Sequence, residues 1–338
     1  FKRIKLYHTK QLPKDFTFTD SSGTKLGNLW RNIESIGIYV PGGSASYPSS
    51  VLMSAIPALV AKVQDISICV PSTSGKINDA VLYAAKICGI KKIYKIGGAQ
   101  AIAALAYGTK TISKVNKIVG PGNAYVAYAK KIVYGEVGID MIAGPTDITI
   151  IADKNNNPDW IAYDALSQLE HGHDSKAFLI TDDTNFANEF CKSIKNISKT
   201  LQRKEIVKES IKNSAVFLVK DLSEAINLVN FIAPEHLEIA TKNAERIYPK
   251  VNNAGAIFLG KYTPESIGDY IAGPSHTLPT SASAKFSSGL SVYDFMKRIS
   301  LISCSESSFK KLSKDTAIMA NCEGLEAHKL SITVRQKN

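Results

Sequence analysis

The chain has 338 residues, 44% of them hydrophobic, which is enough to bury the cores of two ordinary globular domains. Its apolar runs all fall short of the ~20 residues that a membrane-spanning helix needs, so a membrane protein of helical type is not expected. Forty-one Lys and Arg against thirty Asp and Glu give a formal charge of +11. The lysines are spread over the whole length and never interleave with aromatics in a basic block, so we read a solvated basic surface and no nucleic-acid partner.

In chain order, the stretch up to Glu34 is polar and mixed, a lead-in with some helix. Apolar, β-branched strands then alternate with helical patterns. Strands at 36–40, 66–70, 92–96 and 118–119 end in Pro41-Gly-Gly43, Pro71, Gly97-Gly98 and Gly120-Pro-Gly122, and helices fit 50–63, 77–88, 99–107 and 124–134. A second series gives strands at 148–152, 178–181, 216–219 and 256–259. Its helices are a segment opening at Asn157-Pro158, then 186–197, 204–213 and 222–232. Beyond Leu278-Pro279 the chain is serine-rich and then helical to its end. Strand, glycine turn and helix in repetition predict right-handed βαβ units. The fold class expected is therefore α/β, with two incomplete Rossmann-like domains built on parallel sheets and a helical C-terminal tail. The boundaries are 1–145, 146–280 and 281–338.

Five cysteines (Cys69, Cys88, Cys191, Cys304, Cys322) are an odd number, scattered, with no C-x-x-C. Neither a disulfide framework nor a thiolate zinc site follows, and a reducing cytoplasm is the simplest fit. The start, Phe1-Lys-Arg-Ile-Lys5, has neither a methionine nor a signal-peptide core, which points to a chain shortened at its N-terminus.

Several segments could carry chemistry. Asn157-Pro158-Asp159 has the capping side chain and the proline of a helix start, and Ile161, Ala162, Ala165, Leu166 and Leu169 follow at helical spacing. Gln168 and His171 then fall three apart on one face near the helix end, with Gly172 as the stop. An imidazole beside an amide oxygen is either half of a metal site or a histidine capping its own helix. The glycine turns at Gly97 and Gly120 each precede a helix. Amides there can meet a phosphate, yet neither turn is a G-x-G-x-x-G fingerprint, and plain tight turns fit as well. Ala233-Pro-Glu-His236 sets a carboxylate and an imidazole on consecutive residues after a helix break. In extended backbone these point apart, so they serve different substrate atoms as general bases rather than one dyad, unless both are merely solvated. Asp269 and His276 lie in a glycine-rich loop, and aspartate is a hard oxygen ligand suited to zinc beside imidazole. Cys322-Glu-Gly-Leu-Glu-Ala-His328 near the C-terminus adds a carboxylate and an imidazole, and of the six histidines all but His8 lie in such segments.

Together these segments closely resemble the histidinol dehydrogenase family. The resemblance is carried by Ile38-Tyr-Val-Pro-Gly-Gly43, Gly97-Gly-Ala-Gln100, Val119-Gly-Pro-Gly-Asn-Ala-Tyr125 and Ala143-Gly-Pro-Thr-Asp147. It continues through Ser167-Gln-Leu-Glu-His171, Ala233-Pro-Glu-His236, Gly268-Asp269, His276-Thr-Leu-Pro-Thr280, Phe286-Ser-Ser-Gly-Leu290 and Glu323-Gly-Leu-Glu-Ala-His328. These stretches run in family order over essentially the whole chain. The resemblance implies oxidation of L-histidinol to L-histidine through a held aldehyde, in two NAD-dependent steps, with one zinc per subunit. It implies zinc ligands Gln168, His171, Asp269 and His328, with the metal as a template for the substrate, and an acid–base pair of Glu235 and His236. Glu323 and His276 would contact substrate together with the ligands, and Thr146 stands where many members carry serine. Tyr39, Gln100 and Asn123 would hold NAD. His173, past the helix stop, has no implied role. The family's homodimer implies that Glu323 and His328, on the C-terminal tail, complete the partner's site. A paralogue with the same zinc and NAD but another amino alcohol or diol is the alternative.

Overall fold

The structure is a computed structural model that describes residues 1–42, 47–72 and 75–336; Gly43 of the first glycine turn lies outside them. By packing, the chain divides into two compact units. The larger is Phe1–Gln11 with Ile33–Phe295, and the smaller is Leu12–Asn32 with Met296–Asn338.

The chain begins with α1 (Lys2–Thr9), β1 (Phe16–Thr19) and β2 (Lys25–Asn32). The first βα series follows as β3 (Ser35–Tyr39), α2 (Pro48–Val60), β4 (Asp65–Cys69), α3 (Asp79–Ile87), β5 (Lys92–Tyr94), α4 (Gly98–Tyr107), β6 (Lys117–Val119), α5 (Ala124–Val133) and β7 (Gly138–Ile139). Its strands are all parallel, in the order β5-β4-β3-β6-β7.

The second series opens with β8 (Asp147–Ala152), α6 (Pro158–Leu169), β9 (Lys176–Thr181), α7 (Thr184–Ile197), α8 (Lys204–Ser210) and β10 (Ala215–Leu218). It closes with α9 (Glu224–Ile232), β11 (His236–Ala240), α10 (Ala244–Ile247), β12 (Ala256–Leu259) and α11 (Glu265–Tyr270). Its sheet repeats the topology as β10-β9-β8-β11-β12, again parallel throughout. The α/β class with two parallel sheets is thus observed.

Burial follows the alternation of side chains along the strands. All six residues of β8 are buried, as expected of a central parallel strand covered on both faces. Ile148, Ile150 and Ala152 pack with α6, α7 and α8 on one face, while Ile151 joins Leu237, Ile239 and α9 on the other. On α6, all five apolar residues singled out from their spacing are buried.

Several segments differ from the expected elements, and the glycine-rich loop expected to carry Asp269 is in part the short helix α11, with only His276 left in the loop after it. The lead-in is a hairpin, because β1 and β2 pair antiparallel, and the segment after 280 returns as β13 (Met296–Ser303) on the other side of β2 before α12 (Glu306–Cys322) and α13 (Glu326–Thr333). β1 and β13 are mostly exposed, β2 is mostly half-buried, and all three are mixed in polarity, so apolar alternation gave no signal. The central strand β11 was also missed. Its polar His236 and Glu238 alternate with Leu237 and Ile239, yet every position is buried. Finally, α6 ends at Leu169, so His171 sits in the turn beyond the helix, its N–H donating to the Gln168 carbonyl at 3.1 Å.

Candidate active site

In the larger unit a cleft of about 650 Å³ is lined from both βα series. The first sheet presents the carboxyl ends of β3 and β6, where its strand order reverses, with Tyr39, Pro41, Gly42, Pro121, Gly122 and Asn123 in the wall. This is the usual ligand position of an open parallel sheet. The second sheet does the opposite. Thr146 immediately before β8, and Glu235 and His236 at the start of β11, face the cleft from the amino ends of central strands. Helix α6 runs back along the sheet to bring Gln168 to the same end, followed by His171.

The glycine turn after β6 depends on backbone geometry. Gly120 has φ +111°, and a Cβ there would stand 2.1 Å from the Tyr39 carbonyl oxygen, so no other residue fits without moving β3. Asn123 caps α5, its Oδ1 accepting from the Val126 N–H at 3.1 Å. Tyr39 is buried, and its hydroxyl accepts from the Gly98 N–H at 3.1 Å, tying the turn after β5 to β3. Gln100 is exposed on α4 and is not in the cleft lining.

The floor is polar and buried. Ala233 adopts a left-handed conformation, φ +51°, and Pro234 then redirects the chain into β11. Glu235 Oε2 accepts from the Thr146 hydroxyl at 2.5 Å and the Asp147 N–H at 3.3 Å, while the Glu235 N–H donates to Asp147 Oδ2 at 3.2 Å. His236 Nδ1 lies 3.0 Å from the Asp147 carbonyl oxygen. A carbonyl only accepts, so Nδ1 carries the proton and Nε2 is the free base of the neutral ring.

The two side chains do not diverge as extended backbone implies. His236 Nδ1 and Glu235 Oε2 are 3.8 Å apart without a hydrogen bond, because Glu235 precedes the strand and Asp147 draws both groups together.

Thr146 is also 2.7 Å from Gln168 Oε1. A threonine hydroxyl has one proton and can serve only one of two oxygens. Among the described residues, Gln168 Nε2 is buried and without a partner. With the amide turned over, Nε2 donates to Thr146 and the carbonyl oxygen becomes the unpartnered atom. Gln168 therefore has an unused oxygen donor to offer a cation.

The remaining groups come from α11 and the loop after it. Glu265 and Asp269 lie four apart on α11, which puts their carboxyls on one face of the helix. His236 Nε2 is 3.7 Å from Glu265 Oε1, and neither atom has a hydrogen-bond partner among the described residues. His236, Glu265 and Asp269 place one potential metal ligand atom each within 4.8 Å of one another. His276 Nδ1 is 3.7 Å from Asp269 Oδ1.

Protonation follows from this burial. Desolvation pushes the Glu235 carboxyl up to about 7 despite His236 and Thr146, and desolvation plus the Glu265 charge pushes Asp269 up to about 8. Burial alone would lower the His236 imidazole, but Glu235, Glu265 and Asp269 reverse that and raise it. Burial and the neighbouring His236 hold the His276 imidazole down at about 4.

Of the residues singled out in the sequence, Tyr39, Asn123, Thr146, Gln168, His171, Glu235, His236, Asp269 and His276 line this one cleft. Glu323 and His328 are exposed on the smaller unit and are not in its lining. His173 is exposed and outside the lining, and His8 is buried against Gln11 at 2.7 Å. Sequence reasoning missed Glu265 and gave Asp147 no role. The i, i+4 spacing of Glu265 and Asp269 was the available signal for the first.

Residues 1–336 match the histidinol dehydrogenase family profile. The chain belongs to the histidinol dehydrogenase family. Relatives include histidinol dehydrogenase 1 of Nostoc sp., 52% identical over 99% of this chain and 78% of its own, and histidinol dehydrogenase of Brucella abortus, 54% identical over 98% and 78%. The crystal structure of histidinol dehydrogenase from Elizabethkingia anophelis superposes with a TM-score of 0.96 at 41% identity, covering 99% of this chain and 78% of that one. A putative aldehyde dehydrogenase, PutA, from Anabaena variabilis shares the fold at 12% identity and a TM-score of 0.54. Family membership makes the chain an NAD-dependent oxidoreductase. No helix of the described residues is long and apolar enough to cross a membrane.

Proposed function

We propose that this cleft oxidises L-histidinol to L-histidine in two steps, with NAD against the first sheet and a zinc ion beside the second. The observation that carries this reading is the pairing of two proton-transfer groups, Glu235 and His236, on the buried floor where the two series meet. A four-electron oxidation at one carbon needs one base for the alcohol and a second for the water that hydrates the aldehyde.

The donors fit zinc. Gln168 and Asp269 offer oxygen and His171 nitrogen from one cleft wall, with no thiolate, and Gln168 has a buried amide atom without a partner among the described residues. When bound, the zinc would anchor the substrate's nitrogens and NAD would accept hydride. His328, with Glu323 for the substrate, would be supplied by a second copy of the chain, making the active species a homodimer.

The chain's own residues divide the proton work. His236, its Nδ1–H held by the Asp147 carbonyl, takes the alcohol proton on Nε2. The carboxylates around it favour the imidazolium that results. Glu235, held by Thr146 and Asp147 through one oxygen, uses the other to take a proton from water at the aldehyde. With its carboxyl near 7 it can both accept and release that proton at neutral pH. His276, held neutral, is available as a hydrogen-bonding partner for the substrate.

A panel of L-histidinol, other amino alcohols and diols, assayed for NADH with the zinc-loaded protein, tests the substrate. L-histidinol is expected to give the highest kcat/KM. Oxidation of another alcohol while histidinol stays inert would establish the paralogue instead.

A further inference from the structure

Helix α6 walls the cleft on one side and a separate cavity of about 690 Å³ on the other. The floor of that cavity is apolar: Leu169 of α6, Phe190 and Ile194 of α7, and Ile211 beyond α8. Its rim carries Lys195 and Lys199 from one side and Lys204 and Lys208 from α8, with Glu205 as the only carboxylate among the described residues of the lining. The four lysines are exposed, and none forms a salt bridge among the described residues. The volume is within the usual range for small-molecule sites, which are apolar with a few polar groups fixing orientation.

An apolar pocket behind an excess of cations calls for one chemistry, an apolar body with an anionic head. A second copy, from a chain with a formal charge of +11, has a surplus of like charge to set against the four lysines. A neutral apolar molecule would leave them unused. We propose that this cavity binds a medium-chain carboxylate, its chain against Leu169 and Phe190 and its head among Lys199, Lys204 and Lys208. Nothing in the dehydrogenase reaction requires such a ligand, so the site is separate from the catalytic one, although both share α6. The wall is tied to that helix, since the buried Ser210 hydroxyl donates to the Leu169 carbonyl at 2.8 Å.

Cys191, exposed and in the cavity lining, provides the readout, with exposed Cys304 and Cys322 as internal references. Alkylation rates at each thiol, followed by mass spectrometry with sodium decanoate below its micelle concentration, report occupancy directly. At ten times its dissociation constant, decanoate is expected to slow labelling of Cys191 about ten-fold and to leave Cys304 and Cys322 unchanged. Decanol and a decyltrimethylammonium salt are expected to protect far less. Lys204→Glu with Lys208→Glu, both at exposed positions, is expected to abolish the protection while histidinol turnover is retained. Absence of protection by decanoate, equal protection by decanol, or protection that survives the double variant would each overturn the proposal. So would protection of Cys191 that grows with protein concentration and needs no ligand, since that outcome means a second copy covers the cavity.

Discussion

Lys130 and Asp140 form an ion pair withdrawn from water, their side chains 2% and 1% exposed, directly beneath the Gly120 turn. Lys130 Nζ also donates to the Gly120 carbonyl at 3.0 Å, and Asp140 Oδ2 accepts from the Gly120 N–H at 2.7 Å. Both backbone groups of the glycine that lets Pro121, Gly122 and Asn123 approach the cleft are therefore held by one buried pair.

Removing one partner leaves a buried charge uncompensated, which costs about 3–5 kcal/mol. Lys130→Met is expected to lower the melting temperature and to raise KM for NAD more than it lowers kcat. Lys130→Met combined with Asp140→Asn should recover part of the stability while KM for NAD stays high. Calorimetry with initial-rate kinetics checks both. A KM for NAD that returned to the parent value in the double variant would show that the pair only stabilises the fold.

Glu235→Gln keeps a partner for Thr146 but cannot take a proton from water. The aldehyde step is expected to fall by about 10²–10⁴, and the alcohol step much less. Single-turnover NADH formation from L-histidinol and from L-histidinal separates the two. Equal losses would contradict the division of roles.

Two donor sets compete for the metal, and Asp269 belongs to both. The set drawn from resemblance adds Gln168, His171 and His328, while the tightest cluster by distance adds His236 and Glu265. His171→Ala and His328→Ala are each expected to lower zinc retained after dialysis, and Glu265→Gln to leave more of it bound. Elemental analysis decides. Full zinc in both histidine variants, with loss in Glu265→Gln, would assign the metal to the cluster on α11.

Without metal, the floor gives stability a definite pH dependence. Glu235 at about 7 and Asp269 at about 8 bind protons in the folded chain at pH values where the unfolded chain has lost them. Raised acids of this kind make stability fall as pH rises through their folded values. The raised His236 acts in the same direction. His276, depressed to about 4, opposes them only below about 6.5. The melting temperature of zinc-free protein is expected to fall between pH 6.5 and 8, and Asp269→Asn should flatten the slope. A flat profile in the parent protein would mean that these carboxyls titrate normally.

If Glu323 and His328 act from a second copy, activity requires the dimer. Specific activity and dimer fraction are expected to fall together on dilution, measured by light scattering and NADH formation. Full activity in a monomer would exclude that arrangement.

Much of this was legible in the residues. The glycine turns and β-branched runs marked the two parallel sheets, and Asn157 and Pro158 marked the start of α6, where Asn157 Oδ1 accepts from the Asp159 N–H at 2.8 Å. Less legible was which end of each sheet faces the ligand, since strand periodicity does not encode it. Glu238 shows a further limit. It is buried in β11 and interacts with the carboxyl of Asp164, which burial pushes up to about 6. A carboxylate kept inside a strand by a neighbour 74 positions away looks, in sequence, like a solvated one. Glu265 escaped for the same reason, its meaning set by His236 across the fold.

The central claim is that one cleft carries out both oxidations on a substrate it does not release. The most direct test is the stoichiometry of a complete reaction of the zinc-loaded protein with limiting L-histidinol and excess NAD. Two NADH and one L-histidine per histidinol consumed, with no aldehyde captured by a carbonyl trap in solution, is the expected result. One NADH per histidinol with the aldehyde accumulating in the trap would contradict it.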